Sequence, residues 1–327
     1  MSGKEAAAGA WLAGQRHIVT GGAGFIGSHL AEALADAGAQ VVVVDDLRSG
    51  GRANLAERPG LRLVEGDCAD PEVLDRVLPG AHLVWHAAAN PEVRTGETEP
   101  GKHLHDHVDV TFALLEAMRR HGVRELAFTS TSTVYGSANV MPTPESYGPL
   151  LPVSVYGACK LACEALISAY CGTFGFRAFL FRFANVVGPR ATHGVVLDFI
   201  RKLQADPRRL EVLGDGTQAK SYVSVQDTVS GMLHAVRHAP ADPPCQAYNI
   251  GSSDTIPVSR IAEIVPEVMG LRPEVRYAGG PGGAGWKGDV KHMRLSTQAL
   301  EALGWKARHT SEQAVRLAAQ AALRIEA

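Results

Sequence analysis

Apolar residues follow two different rhythms along this chain. Short runs rich in Val, Ile and Leu predict buried strands at residues 17–20, 41–44, 61–64, 83–86, 126–129 and 178–183. Longer stretches in which apolar residues recur every three or four positions predict helices near residues 26–37, 71–78, 104–121 and 156–170. Gly38 and Gly122 are typical of residues that end helices. Strands that alternate with helices in this way predict an α/β fold built on a doubly wound parallel sheet.

The regular alternation is lost after Asn185. The elements predicted there are helices near residues 195–204, 227–238, 257–269 and 311–325, and short strands near Leu210 and Tyr222. The segment from Tyr248 to Gly251 is typical of one more buried strand of the large sheet. We therefore predict a smaller, discontinuous α/β domain beside the larger one. The predicted ranges are 15–184 with 222–252 for the larger domain, 185–221 with 253–327 for the smaller one, and 1–14 for a disordered extension.

Composition and charge limit the classes of function. With 327 residues and 46% hydrophobic content, the chain can bury a large core. A net charge of -2 argues against a general nucleic-acid or membrane-surface binder, because both need clustered basic residues. The five cysteines are scattered without C-x-x-C pairs, so we expect reduced thiols, and no apolar run approaches the length of a membrane span. These features predict a cytoplasmic protein.

A glycine-rich turn joins the first predicted strand to the first predicted helix, with the sequence Gly-Gly-Ala-Gly-Phe-Ile-Gly at residues 21–27. Small residues at such a turn allow a pyrophosphate to approach the helix N-terminus. Asp45 ends the second strand, where a carboxylate can bind the adenosine ribose and repel a 2′-phosphate. The pattern predicts a Rossmann-type site that prefers NAD to NADP, a preference that the nearby Arg48 weakens.

Tyr156 and Lys160 lie four residues apart on a predicted helix, so they share one face. The lysine ammonium can favour the phenolate, which allows the tyrosine to act as an acid or base near neutral pH. Combined with the glycine-rich turn, the pair predicts an oxidoreductase-type site.

Several further motifs occur in the order typical of one enzyme group. They are Gly66-Asp67, His86-Ala-Ala-Ala89, Thr129-Ser-Thr-Ser-Thr-Val-Tyr-Gly136, Arg182-Phe-Ala-Asn185, Gly214-Asp-Gly216 and Gly288-Asp289. With these motifs the chain resembles the extended short-chain dehydrogenase/reductases, and within that group it is similar to the UDP-galactose (UDP-glucose) 4-epimerases. The resemblance covers nearly the whole chain after residue 15.

The resemblance implies the residues of a cofactor site for NAD. Asp67 would contact the adenine, the segment from Ala87 to Ala89 would lie along the dinucleotide, and Lys160 would hold the nicotinamide ribose. The cofactor-binding residues expected on this basis are Gly21, Gly24, Phe25, Ile26, Gly27, Asp45, Asp46, Ser49, Gly50, Asp67, Cys68, Ala87, Ala88, Ala89, Tyr156 and Lys160.

The resemblance also implies the catalytic and substrate-binding residues. Catalysis would rest on Tyr156, Lys160 and Thr131, whose hydroxyl would bond the reacting oxygen of the sugar. Asn185 would face the nucleotide diphosphate, and Asp289 would accept from the uridine ribose. The substrate-binding residues expected on this basis are Thr131, Ser132, Asn185, Val195, Lys220, Asp289 and Met293.

The chain departs from the family pattern at four positions. Trp286 stands where an arginine often binds phosphate, and Lys220 replaces a second arginine, so Lys220, Arg190 and Lys287 are the candidates to neutralise the diphosphate. His107 occupies a position at which the family commonly has asparagine beside the cofactor. Met293 falls where the family controls access of the sugar's 2-substituent; its intermediate size predicts a preference for the plain hexose.

The implied activity is the interconversion of UDP-galactose and UDP-glucose through a 4-keto intermediate with tightly bound NAD. The alternatives are another NAD-dependent nucleotide-sugar epimerase acting on UDP-GlcNAc or UDP-glucuronate, a dehydratase or reductase of the same fold, and a dinucleotide-sensing protein. A sensor would not need Thr131, Tyr156 and Lys160. A 4,6-dehydratase would need an adjacent Asp and Glu where Ser132 and Thr133 stand.

His103, His105 and His107 alternate along the chain without a matching cluster of cysteines or carboxylates, so we predict no metal site. In the resembling family the helices near residues 104–121 and 156–170 form a dimeric four-helix bundle, which implies a homodimer. The expected partners are therefore a UDP-sugar and a second copy of the chain, with no nucleic acid and no membrane.

Overall fold

The computed structural model describes residues 10–279 and 290–325. Its large sheet has seven strands in the order β3-β2-β1-β4-β5-β6-β11. These strands are β1 Arg16–Thr20, β2 Gln40–Asp45, β3 Leu61–Glu65, β4 Leu83–His86, β5 Glu125–Thr131, β6 Arg177–Phe183 and β11 Cys245–Ile250. The pairs from β3 to β5 are parallel, and β2 and β4 are buried along nearly their whole length, which explains their continuous apolar sequence. The doubly wound α/β fold is confirmed.

The predicted helices occur in the predicted order, together with three short ones. They are α1 Phe25–Asp36, α2 Pro71–Val77, α3 Thr95–Thr98, α4 Pro100–His103, α5 Val110–His121, α6 Val155–Phe174, α7 Val195–Ala205, α8 Val225–His238, α9 Val258–Met269, α10 Gln298–Ala302 and α11 Ser311–Ile325. The three short helices, α3, α4 and α10, have no predicted counterpart. Short 3-10 helices cover Ala10–Leu12, Arg52–Asn54 and Ser132–Tyr135. Within the described ranges, no helix is both long and apolar enough to span a bilayer.

Seven short strands form three small sheets outside the large one. They are β7 Asn185–Val187, β8 Arg209–Val212, β9 Ala219–Lys220, β10 Tyr222–Ser224, β12 Ile256–Pro257, β13 Glu274–Tyr277 and β14 His292–Met293. β7 pairs with β10, β8 pairs with β13, and β9 lies between β12 and β14.

The chain divides into two compact units. The first contains Met1–Ser130, Val155–Phe181 and Ala239–Ala247, and the second contains Thr131–Ser154, Arg182–His238 and Tyr248–Ala327. Each has its own apolar core, one around Ile18, Val84 and Phe128 and the other around Phe199, Leu210 and Ile261. The predicted domain ranges, 15–184 with 222–252 and 185–221 with 253–327, stay a prediction.

The structure corrects two expectations. The predicted extension over residues 1–14 is ordered from Ala10, where a 3-10 helix buries Leu12 and Gly14 N donates to Gly38 O (3.0 Å); residues 1–9 lie outside the described residues. The helix predicted over residues 104–121 begins as a π-helix, Leu104–Asp109, and becomes α-helical only at Val110. Apolar spacing indicates a helical face, but it does not distinguish the wider π turn from an α turn.

Candidate active site

The turn between β1 and α1 is built from backbone alone. Gly21 has a φ of +65°, and a Cβ on it would lie 2.5 Å from Ala88 N. A Cβ on Gly27 would lie 2.2 Å from Gly21 O, so both positions require glycine. Gly24 is the N-cap of α1 and no side chain caps the helix, which leaves the N–H groups of the first turn available to an anion.

Asp45 is fixed beside this turn at the end of β2. Its Oδ2 accepts from Ala23 N and its Oδ1 from Leu47 N, each at 2.8 Å. Burial raises the pKa of Asp45, and these two hydrogen bonds oppose the rise. Arg48 is engaged elsewhere, because its Nε donates to Asp46 Oδ2 at 2.5 Å. Arg48, the residue expected to weaken the preference for NAD over NADP, is therefore paired with the carboxylate of Asp46.

The loop after β2 and the end of β4 complete the surroundings of the turn. A Cβ on Gly50 would lie 2.5 Å from Ala23 O, and Ala87 N donates to Thr20 O at 3.0 Å. The structure thus brings together the predicted residues Gly21, Asp45, Gly50, Ala87 and Ala88, while Ser49 is exposed in the same loop.

Asp67 and Cys68 follow the end of β3 after one residue, Gly66. Asp67 Oδ1 accepts from Ala69 N at 2.8 Å, which fixes the carboxylate in a tight turn. Burial, with Asp67 next in effect, raises the pKa of the Cys68 thiol to about 12. Cys68 is therefore a neutral, apolar neighbour of the Asp67 carboxylate.

Lys160 is almost completely buried on α6. Its Nζ donates to Thr129 O (2.9 Å) and lies 4.7 Å from the centre of the Phe128 ring, so a carbonyl and an aromatic face replace water around the ammonium. Burial lowers the pKa of Lys160 to about 8, and Cys163 and Glu164 oppose this fall. At neutral pH, Lys160 therefore still carries its positive charge in most of the molecules.

His86 is the centre of a row of buried, hydrogen-bonded side chains near this lysine. His86 on β4 is hydrogen-bonded through Nδ1 to Thr20 Oγ1 (2.7 Å) and through Nε2 to Thr111 Oγ1 (3.1 Å). Burial and then the charge of Lys160 lower the pKa of His86 to about 3. The imidazole is therefore neutral near pH 7 and leaves the positive charge on Lys160.

Tyr156, one turn before Lys160, is half-buried against two histidines. The rings of His103 and His107 are stacked with centroids 5.2 Å apart, and the Tyr156 ring stands nearly perpendicular to both. The sequence contains one indication of this contact between Tyr156 and the histidines, namely His107 at a position where the resembling family commonly has asparagine.

Thr131 is the last residue of β5 and is buried. Its Oγ1 accepts from Thr133 N at 3.1 Å and so caps the short helix Ser132–Tyr135. Ser132 and Thr133 begin that helix, so the two residues after Thr131 present hydroxyl groups and no carboxylate.

Three predicted substrate residues lie together in the second unit. Asn185 donates through its backbone N–H and its Nδ2 to Ser221 O, at 3.2 and 3.4 Å. Ser221 N donates to Met293 O at 2.9 Å, and Met293 pairs with Lys220 across the strands. Val195 begins α7. Asp289, Trp286 and Lys287 lie outside the described residues.

Comparison with known proteins gives the site a family. The sequence profile of the NAD dependent epimerase/dehydratase family matches residues 17–251. The chain belongs to this family. UDP-glucose 4-epimerase of Corynebacterium glutamicum is 32% identical over 313 residues, which are 90% of this chain and 91% of that protein. The predicted resemblance is confirmed.

Two solved structures agree with the family assignment. A UDP-galactose 4-epimerase has a TM-score of 0.86 and 45% identity, and covers 95% of this chain and 99% of its own. The UDP-glucose 4-epimerase of Thermus thermophilus, solved in complex with NAD, has a TM-score of 0.81 and 32% identity, and covers 94% of this chain and 98% of its own.

The residues of this epimerase/dehydratase family member fit NAD. The side-chain-free turn at Gly21 and Gly27 and the uncapped N-terminus of α1 provide N–H donors for a pyrophosphate. Asp45 lies beside this turn at the end of β2, and its carboxylate suits hydroxyl donors but repels a phosphate. Among residues 10–279 and 290–325, no three His, Cys, Asp or Glu side chains lie together in a way that could hold a metal ion.

One buried network in the family member escaped the sequence prediction. The Asn249 amide, on β11, accepts from Tyr135 OH (2.7 Å) and donates to Thr143 O and Ser296 O (3.0 Å each). Arg182 Nη1 donates to the same Tyr135 hydroxyl at 3.0 Å. Both N–H donors and the oxygen of the amide are thus used within the second unit. The Asn within the segment predicted as a buried strand, residues 248–251, was the signal that could have revealed it.

Proposed function

We propose that this protein is an NAD-dependent UDP-glucose 4-epimerase that interconverts UDP-galactose and UDP-glucose. The observation that carries the proposal is the buried Lys160 ammonium, held by the Thr129 carbonyl one helical turn after Tyr156. A buried cation at this place favours a tyrosine phenolate, and the glycine-rich turn fits a dinucleotide. The relatives named UDP-glucose 4-epimerase support the substrate class.

In the proposed reaction, Tyr156 as phenolate takes the proton from the sugar's 4-hydroxyl and later returns it to O4. When bound, NAD would supply the hydride acceptor and donor for C4, which allows a 4-keto sugar to form and to be reduced again. Lys160 stabilises the phenolate electrostatically, and Thr131 donates a hydrogen bond to the reacting oxygen. When the keto sugar rotates before it is reduced, so that its other face receives the hydride, the product is the C4 epimer and no cofactor is consumed.

The proposed substrate contacts are concentrated at the nucleotide end. Asn185, Val195 and Lys220 would hold the uridine diphosphate, together with Asp289 and either Arg190 or Lys287. Firm binding of the nucleotide leaves the hexose free to rotate, as the mechanism requires. Met293 on β14 is buried and larger than a residue that would admit an N-acetyl group, so we propose a preference for the plain hexose.

A dehydratase on the same fold would need a general acid and base beside the sugar's C5 and C6. Ser132 and Thr133 offer only hydroxyl groups, whose protons are too tightly held for exchange near neutral pH without a neighbouring base. We therefore propose that the 4-keto intermediate leaves only by reduction.

The test is incubation of the purified protein with UDP-galactose without added nucleotide or reductant. We expect UDP-glucose to form, NAD to be released on denaturation, and a lower kcat/KM for UDP-GlcNAc than for UDP-glucose. Accumulation of a 4-keto-6-deoxy sugar, or consumption of one NAD per turnover, would refute the epimerase. A higher kcat/KM for UDP-GlcNAc would refute only the role of Met293.

We also propose that the enzyme is a cytoplasmic homodimer. Leu104 and Phe112, on the π-helix and α5, are 53% and 50% exposed, and this element packs on α6. Four of the five cysteines are buried as thiols, which suits a reducing compartment. Light scattering should give the mass of two chains, and Leu104→Ser with Phe112→Ser should yield a monomer; a monomeric native protein would contradict the proposal.

A further inference from the structure

A stacked pair of histidines forms one wall of the Tyr156 ring. His103 ends α4 and His107 lies in the π-helix Leu104–Asp109, and their rings are nearly parallel, with an interplanar angle of 9°. The Tyr156 centroid lies 5.7 Å from His103 and 5.4 Å from His107, at interplanar angles of 70° and 79°. These edge-to-face arrangements are the geometry that aromatic pairs prefer. Two rings therefore restrain the plane of one phenol.

The nitrogens of the two imidazoles are weakly satisfied. His103 and His107 are 0% and 2% exposed, and none of their four ring nitrogens makes a hydrogen bond of normal geometry among the described residues. Backbone groups of Val93 and Asn90 only oppose the fall that burial causes in the pKa of His103 and His107, respectively. Buried polar atoms without partners destabilise a fold. The flat ring shape is what these side chains contribute to the contact with Tyr156.

Burial disfavours the charged form of both imidazoles. Burial, then Lys160 and His103, lowers the pKa of His107 to about 2, and burial lowers the pKa of His103. The histidine wall therefore opposes a second positive charge beside Lys160.

The glycine at position 96 leaves the space that the His103 ring occupies. A Cβ on Gly96 would lie 3.2 Å from His103 Cδ2 and 3.2 Å from Val155 Cβ. Val155 immediately precedes Tyr156 in the chain. A side chain at position 96 would thus crowd His103 and the start of α6.

We propose that His103 and His107 are positioning residues for Tyr156, which hold its ring in the plane that proton transfer requires. The inference rests on the proposed function, because it concerns the acid/base group of that reaction. Neither histidine is a proton donor in this proposal; both act through ring contact.

The test compares side chains that keep or remove a ring. His103→Leu and His107→Leu should each lower kcat about 10- to 100-fold with little change in KM or NAD content, because a misplaced acid/base group loses catalysis but not binding. His103→Phe and His107→Phe should retain most of the wild-type kcat. His105→Leu, at an exposed site in the same π-helix, is the matched control and should behave as wild type.

A stability measurement makes the test independent of activity. In a double-mutant cycle of His107→Ala and Tyr156→Ala, the double variant should lose less unfolding free energy than the sum of the two single variants. Wild-type kcat in the Leu variants, Phe variants as damaged as the Leu variants, or strict additivity in the cycle would overturn the proposal. Failure of the wild-type enzyme to epimerise would refute the proposed function, while the cycle would still test the ring contact.

Discussion

Individual side chains of the site owe their chemistry to what surrounds them. Lys160 keeps its charge in a nearly dry location because Thr129 O accepts a hydrogen bond from its ammonium and the Phe128 ring faces it. Asp45 is fixed by two backbone N–H groups, and Tyr156 by two imidazole rings. At this scale the sequence predicts the candidate reactive groups, but it does not predict the partners that restrain Lys160 and Tyr156, which come from distant parts of the chain.

Replacing Tyr156 by Phe should lower kcat by at least about 100-fold, because the ring and its contacts remain while the acid/base group is lost. UDP-sugar affinity and NAD content should stay near wild type. Steady-state kinetics with UDP-galactose and calorimetric titration with UDP check the two parts. Near-normal turnover would show that another group carries the proton.

Cofactor choice should depend on the Asp45 carboxylate. Protein stripped of nucleotide should recover activity with NAD far better than with NADP, because a 2′-phosphate would meet this carboxylate while Arg48 is paired with Asp46. Asp45→Asn should narrow the ratio of the two reconstituted activities. Equal recovery with both cofactors in the wild-type enzyme would contradict the assignment.

The secondary-structure elements were predictable where packing alone decides them. The buried strands and long helices have predicted counterparts with ends within about four residues, because apolar runs and periods of three to four report burial directly. The π-helix Leu104–Asp109 was not predictable, since the His103 and His107 rings that it brings together contact a tyrosine about fifty residues away in sequence. The hydrogen bonds of Asn249 were not predictable for the same reason, because its partners are far away in sequence.

The junction of β1 and α1 should tolerate no added carbon at Gly27. Gly27→Ala would place a methyl group 2.2 Å from Gly21 O, so we expect a lower melting temperature and loss of most bound NAD. Gly172→Ala on α6 is the matched control: a Cβ there meets nothing within 4 Å and should stabilise the protein by about 0.5–1 kcal/mol. Thermal unfolding and the amount of NAD released check both. Full NAD content in Gly27→Ala would contradict the proposal that the glycine-rich turn binds the pyrophosphate of NAD.

For the whole molecule, stability is tied to histidines that the first unit buries uncharged. Burial lowers the pKa of His17 to about 4 and that of His86 to about 3, with His82 and Lys160 as the respective second causes. In the unfolded chain both would titrate near pH 6.5. The unfolded state therefore binds more protons below pH 6.5, and the native state loses stability as the solution is acidified.

The free energy of unfolding should accordingly fall between pH 7 and pH 5, by about 2 kcal/mol for His86 alone. His86→Gln should flatten this dependence even if it lowers stability at pH 7, whereas His105→Gln, at an exposed site, should keep the native slope. Urea unfolding at a series of pH values provides the measurement. An unchanged slope in His86→Gln would show that other groups control acid stability.

The hydrogen-bonded amide of Asn249 has a consequence for the design of chimeric enzymes. Its three hydrogen bonds join Tyr135, Thr143 and Ser296, so β11 specifies the path of the segment that follows Thr131. If residues 132–154 were replaced by the corresponding segment of a relative, that segment would be adapted to the relative's own residue at the position of Asn249. Exchange of that segment between relatives therefore has to carry the partner position on β11 with it.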